Sequence, residues 1–284
     1  MNSSEIIIIG ANGQLGKALQ AKYPGAQAVD IDTLNIGDAD AVEQYDWAGT
    51  KLILNAAAYT NVDGAESDEG RVSAWQANAA AVRNLVKTAL MFKLTLVHVS
   101  TDYVFDGTHS PHLENEDFSP LSVYGASKAA GDILVSLLPN HYILRTSWVI
   151  GEGKNFVRTM LELAKKGINP VVVSDQIGRL TFTSELVRAV DHLLDSHAPA
   201  GTYNVSNNGT PVSWADIARE IFKAAKLNNS VSNVTTIDYY KGKTGIAPRP
   251  LNSTLDLSKI KATGFVPNDW QVDLQAYIEK EMSS

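Results

Sequence analysis

Through the first half of the chain, short apolar runs alternate with longer stretches in which apolar positions recur every three or four residues. The short runs are Ile6-Ile7-Ile8-Ile9, Gln27 to Ile31, Lys51 to Asn55, Thr95 to Ser100 and His141 to Thr146. Near-continuous apolar runs of this length predict strands covered on both faces. The longer stretches predict helices near Gly13–Lys22, Ser73–Lys93 and Val123–Leu138. Strand and helix in alternation predict an α/β fold with a doubly wound parallel sheet. After Trp148 the order loosens into a helix over Phe156–Lys166, a strand over Pro170–Ser174, helices over Ser184–Ser196 and Trp214–Ala225, and loops rich in Asn, Ser, Gly and Pro. No internal repeat or low-complexity tract interrupts this pattern.

Composition narrows the classes of function. With 44% hydrophobic and 19% charged positions over 284 residues, the chain can fill one large core or two fused ones. The 24 basic and 31 acidic residues give a net charge of −7, and no Lys/Arg run could track a phosphate backbone, so nucleic acid is a poor partner. Without cysteine, disulfides, thiolate zinc sites, iron–sulfur clusters and a Cys nucleophile are excluded together. The start, Met1-Asn2-Ser3-Ser4-Glu5, lacks the basic residues of a secretory signal, and no apolar run approaches the ~18 residues of a membrane span. A cytoplasmic protein with no membrane association is expected.

The first strand runs straight into Gly10-Ala11-Asn12-Gly13-Gln14-Leu15-Gly16, three glycines at three-residue spacing that open a helix. Gly10 suits a tight turn, Gly13 lets backbone approach a pyrophosphate, and Gly16 lets helix and strand pack closely. The free N–H groups of the helix start then face the phosphates. Asp30 and Asp32 end the second strand about 20 residues on, where a carboxylate can take adenosine ribose hydroxyls, although strand-end aspartates are often only solvated. No nearby Arg offers itself to a 2′-phosphate, and the choice between NADPH and NADH stays open. The expected architecture is a dinucleotide-binding unit over residues 1–147, to which later segments can return, and a mainly substrate-binding unit over 148–284.

Tyr124 and Lys128 stand four residues apart, on one helix face. A cation beside a phenol favours the phenolate and brings its pKa down from ~10 toward working pH. Val97-His98-Val99-Ser100-Thr101-Asp102 ends an apolar strand with hydroxyls at the edge where open sheets bind ligands, which makes Thr101 a candidate hydrogen-bond donor to a carbonyl.

Together with Asn55-Ala56-Ala57-Ala58-Tyr59-Thr60, these features resemble the extended short-chain dehydrogenase/reductases. More narrowly, Ser100-Thr101-Asp102-Tyr103-Val104-Phe105-Asp106-Gly107, Arg145-Thr146-Ser147-Trp148, Asn155-Phe156 and Asp175-Gln176-Ile177-Gly178 resemble the dTDP-4-dehydrorhamnose reductase family, over nearly the whole chain. Related dehydratases usually carry Thr-Asp-Glu where this chain has Thr101-Asp102-Tyr103. The resemblance implies a Rossmann-like doubly wound sheet with a smaller C-terminal substrate-binding domain. It also implies reduction of the 4-keto group of dTDP-4-dehydro-L-rhamnose by NADPH or NADH, supplying rhamnose for cell-surface polysaccharide.

In that scheme Tyr124 protonates the forming alkoxide, Lys128 holds the nicotinamide ribose and lowers the Tyr pKa, and Thr101 bonds the reacting oxygen. Residues 10–16 cradle the pyrophosphate, and Asp30 meets the adenosine ribose. Asn35-Ile36 stands near the adenine, where the family often has Asp-Ile, and Ala57, Ala58 and Tyr59 line the cofactor channel. Thr101, Asp102 and Trp148 match positions that touch the sugar nucleotide. Trp148 is as consistent with a core ring as with a flat face for a deoxysugar. Arg249 suits a diphosphate or nucleotide clamp. Arg179 sits where the family more often continues with proline, and its role is open.

His109, His112, Glu114 and Glu116 have the atoms of a metal site but share one Pro-containing loop, so they predict a solvated loop and no metal ligand is assigned. Some family members are described with magnesium; nothing in the sequence requires it. No Gly-x-Ser-x-Gly elbow supports a hydrolase. Two rival readings stand: a different nucleotide-sugar reductase or epimerase, and a non-catalytic dinucleotide-binding regulatory subunit. The sequence leaves monomer or homodimer undecided.

Overall fold

The computed structural model describes residues 2–283; Met1 and Ser284, the outer ends of the two expected units, lie outside the described residues. The first half alternates β1 (Ile6–Ile9), α1 (Gln14–Lys22), β2 (Gln27–Val29), α2 (Ala39–Gln44), β3 (Leu52–Asn55), α3 (Asp68–Trp75), α4 (Ala81–Phe92), β4 (Thr95–Thr101), α5 (Val123–Val135) and β5 (His141–Thr146). Beyond it follow β6 (Val149–Ile150), α6 (Phe156–Lys165), β7 (Val171–Val173), β8 (Ile177–Gly178), β9 (Thr181–Phe182), α7 (Thr183–Asp195), β10 (Gly201–Asn204), β11 (Val212–Ser213), α8 (Trp214–Ala224), β12 (Ser232–Val234), α9 (Thr236–Tyr240), α10 (Ser258–Ala262) and α11 (Trp270–Ser283).

One six-stranded sheet in the order β10-β5-β4-β3-β1-β2 organises the molecule, and every neighbouring pair in it is parallel. The order reverses between β1 and β3, the switch point at which such sheets bind ligands beyond their carboxyl ends. The four isoleucines of β1 explain the apolar run. Ile6 and Ile8 face a core with Leu15 and Leu19 of α1 and Leu186 and Val190 of α7, while Ile7 and Ile9 face Val82, Leu85 and Val86 of α4. A strand covered on both sides favours apolar residues at every position, and each buried Ile contributes about 1.5–3 kcal/mol.

Several boundaries differ from expectation, each for a local reason. The second strand stops at Val29, because Asp30 turns its carboxylate onto the backbone N–H of Asn12 at 2.8 Å and Ile31 at 2.8 Å. The helix expected from Ser73 starts at Asp68, capped by Ser67, whose side chain accepts from Gly70 N. It then passes through a π-helical turn, Gln76–Ala80, before α4. Such a turn bulges the helix and is frequent at functional sites.

β10 was not foreseen from the pattern. It pairs with β5, with Gly201 opposite Tyr142 and Asn204 opposite Arg145, so the chain returns to the central sheet late. The remaining segments wrap a second core in which α6, α8 and α11 meet through Val157, Leu161, Ile217, Ile221, Trp270 and Leu274. Its strands are two or three residues long and pair as β8 with β11, β7 with β12 and β6 with β9.

Candidate active site

Two clefts flank the buried Tyr124 cluster, one lined by Tyr59 and the other by Tyr103, both of which pack against it. The first, about 570 Å³, lies at the switch point and is lined by Gly10, Asn12, Gly13, Asp30, Asn35, Ile36, Ala57, Ala58 and Tyr59, with Ser73, Gln76 and Ala77 from the helix opposite. Gly10 has φ +78°, and a Cβ there would come 2.6 Å from Ala57 N, so the turn passes against the residues following β3. A Cβ on Gly16 would stand 2.1 Å from Gly10 O, which is the close helix–strand contact read from the spacing. At Gly13 a Cβ would meet only Gly10 O, at 3.3 Å, so the absent side chain leaves the cleft wall open.

The rest of the glycine loop divides its duties. Ala11 and Leu15 are buried, and the Leu15 side chain belongs to the core beside α1, so these two residues offer the cleft backbone only. Gln14 faces a neighbouring groove of about 620 Å³ between α1, α7 and α11 and donates to Lys154 O at 3.4 Å. Asn35 Oδ1 accepts from Gly37 N at 3.0 Å, and the Ile36 carbonyl accepts from Asn84 Nδ2 at 2.9 Å, which holds this stretch along the cleft. Asp32 is exposed and outside the lining.

Tyr124 lies behind the cleft wall, in the cluster against which the lining residue Tyr59 packs. With Ala65 and Ala74 it forms a small buried cluster against which Tyr59, Val62, Tyr103 and Val123 pack. Ser122 caps α5 by accepting from Gly125 N at 3.1 Å, and Glu66 accepts from Val123 N at 2.9 Å, so the helix start that carries Tyr124 is pinned twice. Asn78, in the π turn, bonds both the N–H and the carbonyl of Tyr59 and donates to Ser127 Oγ at 3.0 Å, tying the cleft wall to α5. A single Asn inside a helical pattern carried no signal of that role.

The electrostatics depart from expectation in two respects. Burial pushes the Tyr124 phenol above its ordinary range, opposed by a hydrogen bond to Thr101 and reinforced by Asp102 and Asp132. Lys128 does not bring it down; the Lys128 nitrogen donates instead to Val99 O, 2.7 Å away. Burial instead lowers Lys128 itself to about 8, against the raising effect of Asp132. The second departure is Thr101: its Oγ1 donates to Asp102 Oδ1 at 3.0 Å and accepts from Tyr103 N at 3.2 Å. A hydroxyl has one hydrogen, so Thr101 cannot donate to Asp102 and to the Tyr124 phenolate at once. Asp102 is raised to about 6 by burial, despite hydrogen bonds from Ser253 and Thr101.

Beyond Tyr103, whose ring meets Tyr124 edge-on at 5.6 Å, lies a smaller cavity of about 280 Å³. It is lined by Tyr103, Phe156, Met160, Gln176, Trp214, Tyr239, Tyr240 and Arg249, with Val171–Val173 behind them. Trp148 has φ +48°, and its ring stacks on Trp214 at 3.8 Å and rests on Gly178, where a Cβ would come within 2.9 Å. One face of Trp148 is therefore covered, and it is Trp214 that lines the cavity. Arg249 reaches the same wall, but its guanidinium is paired with Asp63 at 2.8 Å and donates to Ala247 O, beneath Tyr240. Neither Trp214 nor Asp63 stood out in the sequence, because each matters only through a partner distant along the chain.

Arg179 is buried in the fold, donating to Leu255 O, and does not line either cleft. The histidine-rich loop is structural. His112 stacks on Phe105 at 4.6 Å, bonds Glu116 at 2.9 Å and reaches Asn252 O, while Glu114 accepts from Asn204 N. Among the described residues no group of three or more His, Cys, Asp or Glu could hold a metal ion, and no helix is long and apolar enough to cross a membrane.

A parallel doubly wound sheet, a glycine turn at its switch point and a Tyr-x-x-x-Lys helix set against the same edge define a short-chain dehydrogenase/reductase. Within that class the chain belongs to the family described as the RmlD substrate binding domain, whose model matches residues 4–283. It is 40% identical to a dTDP-4-dehydrorhamnose reductase of Aggregatibacter actinomycetemcomitans, over 97% of this chain and 100% of that protein. The crystal structure of a dTDP-4-dehydrorhamnose reductase from Clostridium acetobutylicum superposes with a TM-score of 0.90 at 34% identity, covering 98% of this chain and 99% of that one. A dTDP-4-dehydrorhamnose reductase from Bacillus anthracis, solved in complex with NADP, superposes with a TM-score of 0.87 at 35% identity, covering 97% of each chain.

Proposed function

We infer that the protein reduces the 4-keto group of dTDP-4-dehydro-L-rhamnose to give dTDP-L-rhamnose, as a cytoplasmic enzyme supplying cell-surface polysaccharide. The observation that carries this reading is the position of Tyr124, with the 570 Å³ cleft ending at Tyr59 on one side and the 280 Å³ cavity starting at Tyr103 on the other. Two ligands lying in these spaces meet at one phenol.

The residues of the larger cleft fit a nicotinamide dinucleotide. Gly10 and Gly13 let backbone approach a pyrophosphate, the N-terminus of α1 has no side-chain cap competing for its N–H groups, and Asp30 offers a carboxylate at the far end. When bound, the reduced nicotinamide supplies the hydride, NADPH and NADH both being donors on this reading. Tyr124, protonated because burial raises it, gives its proton to the forming alkoxide oxygen. Thr101 orients that phenol, and on turning its hydrogen from Asp102 it bonds the same oxygen. Lys128 supplies positive charge to the nicotinamide ribose side. Asp102 and Trp148 border the sugar, and Arg249, its charge shared with Asp63, meets the nucleotide.

The test is loss of NADPH or NADH absorbance when the purified protein meets dTDP-4-dehydro-L-rhamnose made in the same vessel. Oxidation that requires this sugar and disappears in Tyr124→Phe is expected. Dinucleotide binding with no oxidation by either cofactor would favour another sugar or a regulatory role.

A further inference from the structure

Behind Tyr124 and Lys128 a second line of polar groups runs into the core. Ala57 N–H donates to Asn55 Oδ1 at 3.1 Å, which settles which end of that amide is oxygen. The Nδ2 end is therefore the one 3.0 Å from His98 Nδ1. An amide N–H only donates, so Nδ1 accepts, and the neutral imidazole carries its hydrogen on Nε2. His98 is 0% exposed, and burial followed by the charge of Lys128 holds it neutral. Its Nε2 lies 3.4 Å from Lys128 Nζ. Gly131 draws α5 against this pair, since a Cβ there would stand 3.5 Å from Nε2 and 2.4 Å from Asn78 O. An N–H aimed at an amine nitrogen stabilises the form with a free lone pair.

We propose that His98 is a positioning residue of the reduction: Asn55 fixes its tautomer, and its Nε2–H favours the amine form of Lys128, so that His98 sets the pH at which Lys128 gives up its charge. Other groups facing α5 act differently. Asp132, paired with Arg145 of β5 at 3.0 Å, favours the ammonium, Asp102 and Tyr103 face Tyr124, and Glu66 is bonded at the helix start. None of them presents an N–H to Lys128.

The role rests on the proposed reduction, but its first test does not. Nitrogen-15 imidazole spectra of the intact protein, from about pH 6 to about pH 9, are expected to show His98 neutral and protonated on Nε2 throughout. A hydrogen on Nδ1, or a charged ring, overturns the proposal whatever the substrate. The second test is the pH profile of turnover in Asn55→Asp. A carboxylate there accepts from Nδ1–H and leaves Nε2 bare toward the ammonium. Lys128 then holds its proton longer, and the alkaline limb moves up by about one pH unit. His98→Phe, which removes the N–H, is expected to move the limb the same way. A uniform loss of rate with the limb unmoved would make His98 a packing residue and overturn its role.

Discussion

The cleft at the switch point and the cavity beyond Tyr103 lie beside the same Tyr124 cluster but are built from different material. The cleft is mostly backbone, a glycine turn and the ends of β1, β2 and β3, fixed by sheet register and by Asn78 and Asp30. The cavity is mostly side chains, with Trp214, Phe156, Tyr240 and Arg249 brought together from segments about a hundred residues apart or held by one ion pair. Backbone surfaces tolerate little change in shape, whereas side-chain surfaces can change one contact at a time. A family can thus keep its cofactor while altering its sugar.

The largest effect should come from the phenol that stands behind both regions. Tyr124→Phe is expected to lower turnover by roughly two to four orders of magnitude and leave dinucleotide affinity within about twofold, checked by steady-state kinetics and titration. An equal loss of affinity would mean that the phenol belongs to the cleft alone. Next comes the backbone region. Gly16→Ala should cost about 3 kcal/mol or more in thermal unfolding and weaken dinucleotide binding, because its Cβ would strike Gly10 O. Gly167→Ala, strained at φ +69° but with nothing within 4 Å, should cost only about 1 kcal/mol. Similar losses at both positions would break the contrast.

Asp102, at the border between the two regions, should show a pH signature. Its carboxyl is raised to about 6 from an ordinary 3.8, so the folded protein binds the proton more tightly than the unfolded chain. Stability from this group is present below about pH 4 and is lost as pH rises through about 6. Asp102→Asn should remove that slope and gain up to about 2–3 kcal/mol at neutral pH, measured by denaturant titration at several pH values, while turnover falls. A steeper slope in the variant would reverse the assignment. Smallest is the side-chain region: Trp214→Ala should raise KM for the nucleotide sugar about tenfold with KM for the dinucleotide unchanged.

These differences also explain what the sequence displayed. Ile6–Ile9 was legible because a strand buried on both faces is mostly apolar, and Gly10, Gly13 and Gly16 because their spacing reports a backbone shape. Strands of two residues, such as β6, β8 and β9, have no period to read. β10 takes its place only when β5 is there to pair with it. Tyr124, Lys128 and Thr101 could be named, but the direction of the Lys128 nitrogen depends on Val99 O and His98, and the Thr101 hydrogen on Asp102. Hydrogen-bond direction is a property of the assembled core.

The late return of β10 bears on how chains of this kind can be recombined. A fragment ending near residue 150 would carry β5 with one side open, and a bare, apolar strand edge is a template for stacking against copies of itself. Swapping everything after β5 between two relatives would also import a foreign outer strand, with Asn204 and its neighbours obliged to match Arg145 and the 112–114 loop of the recipient. Chimeras that exchange sugar preference should therefore leave Gly201–Asn204 with the recipient and transplant the segments on either side of it.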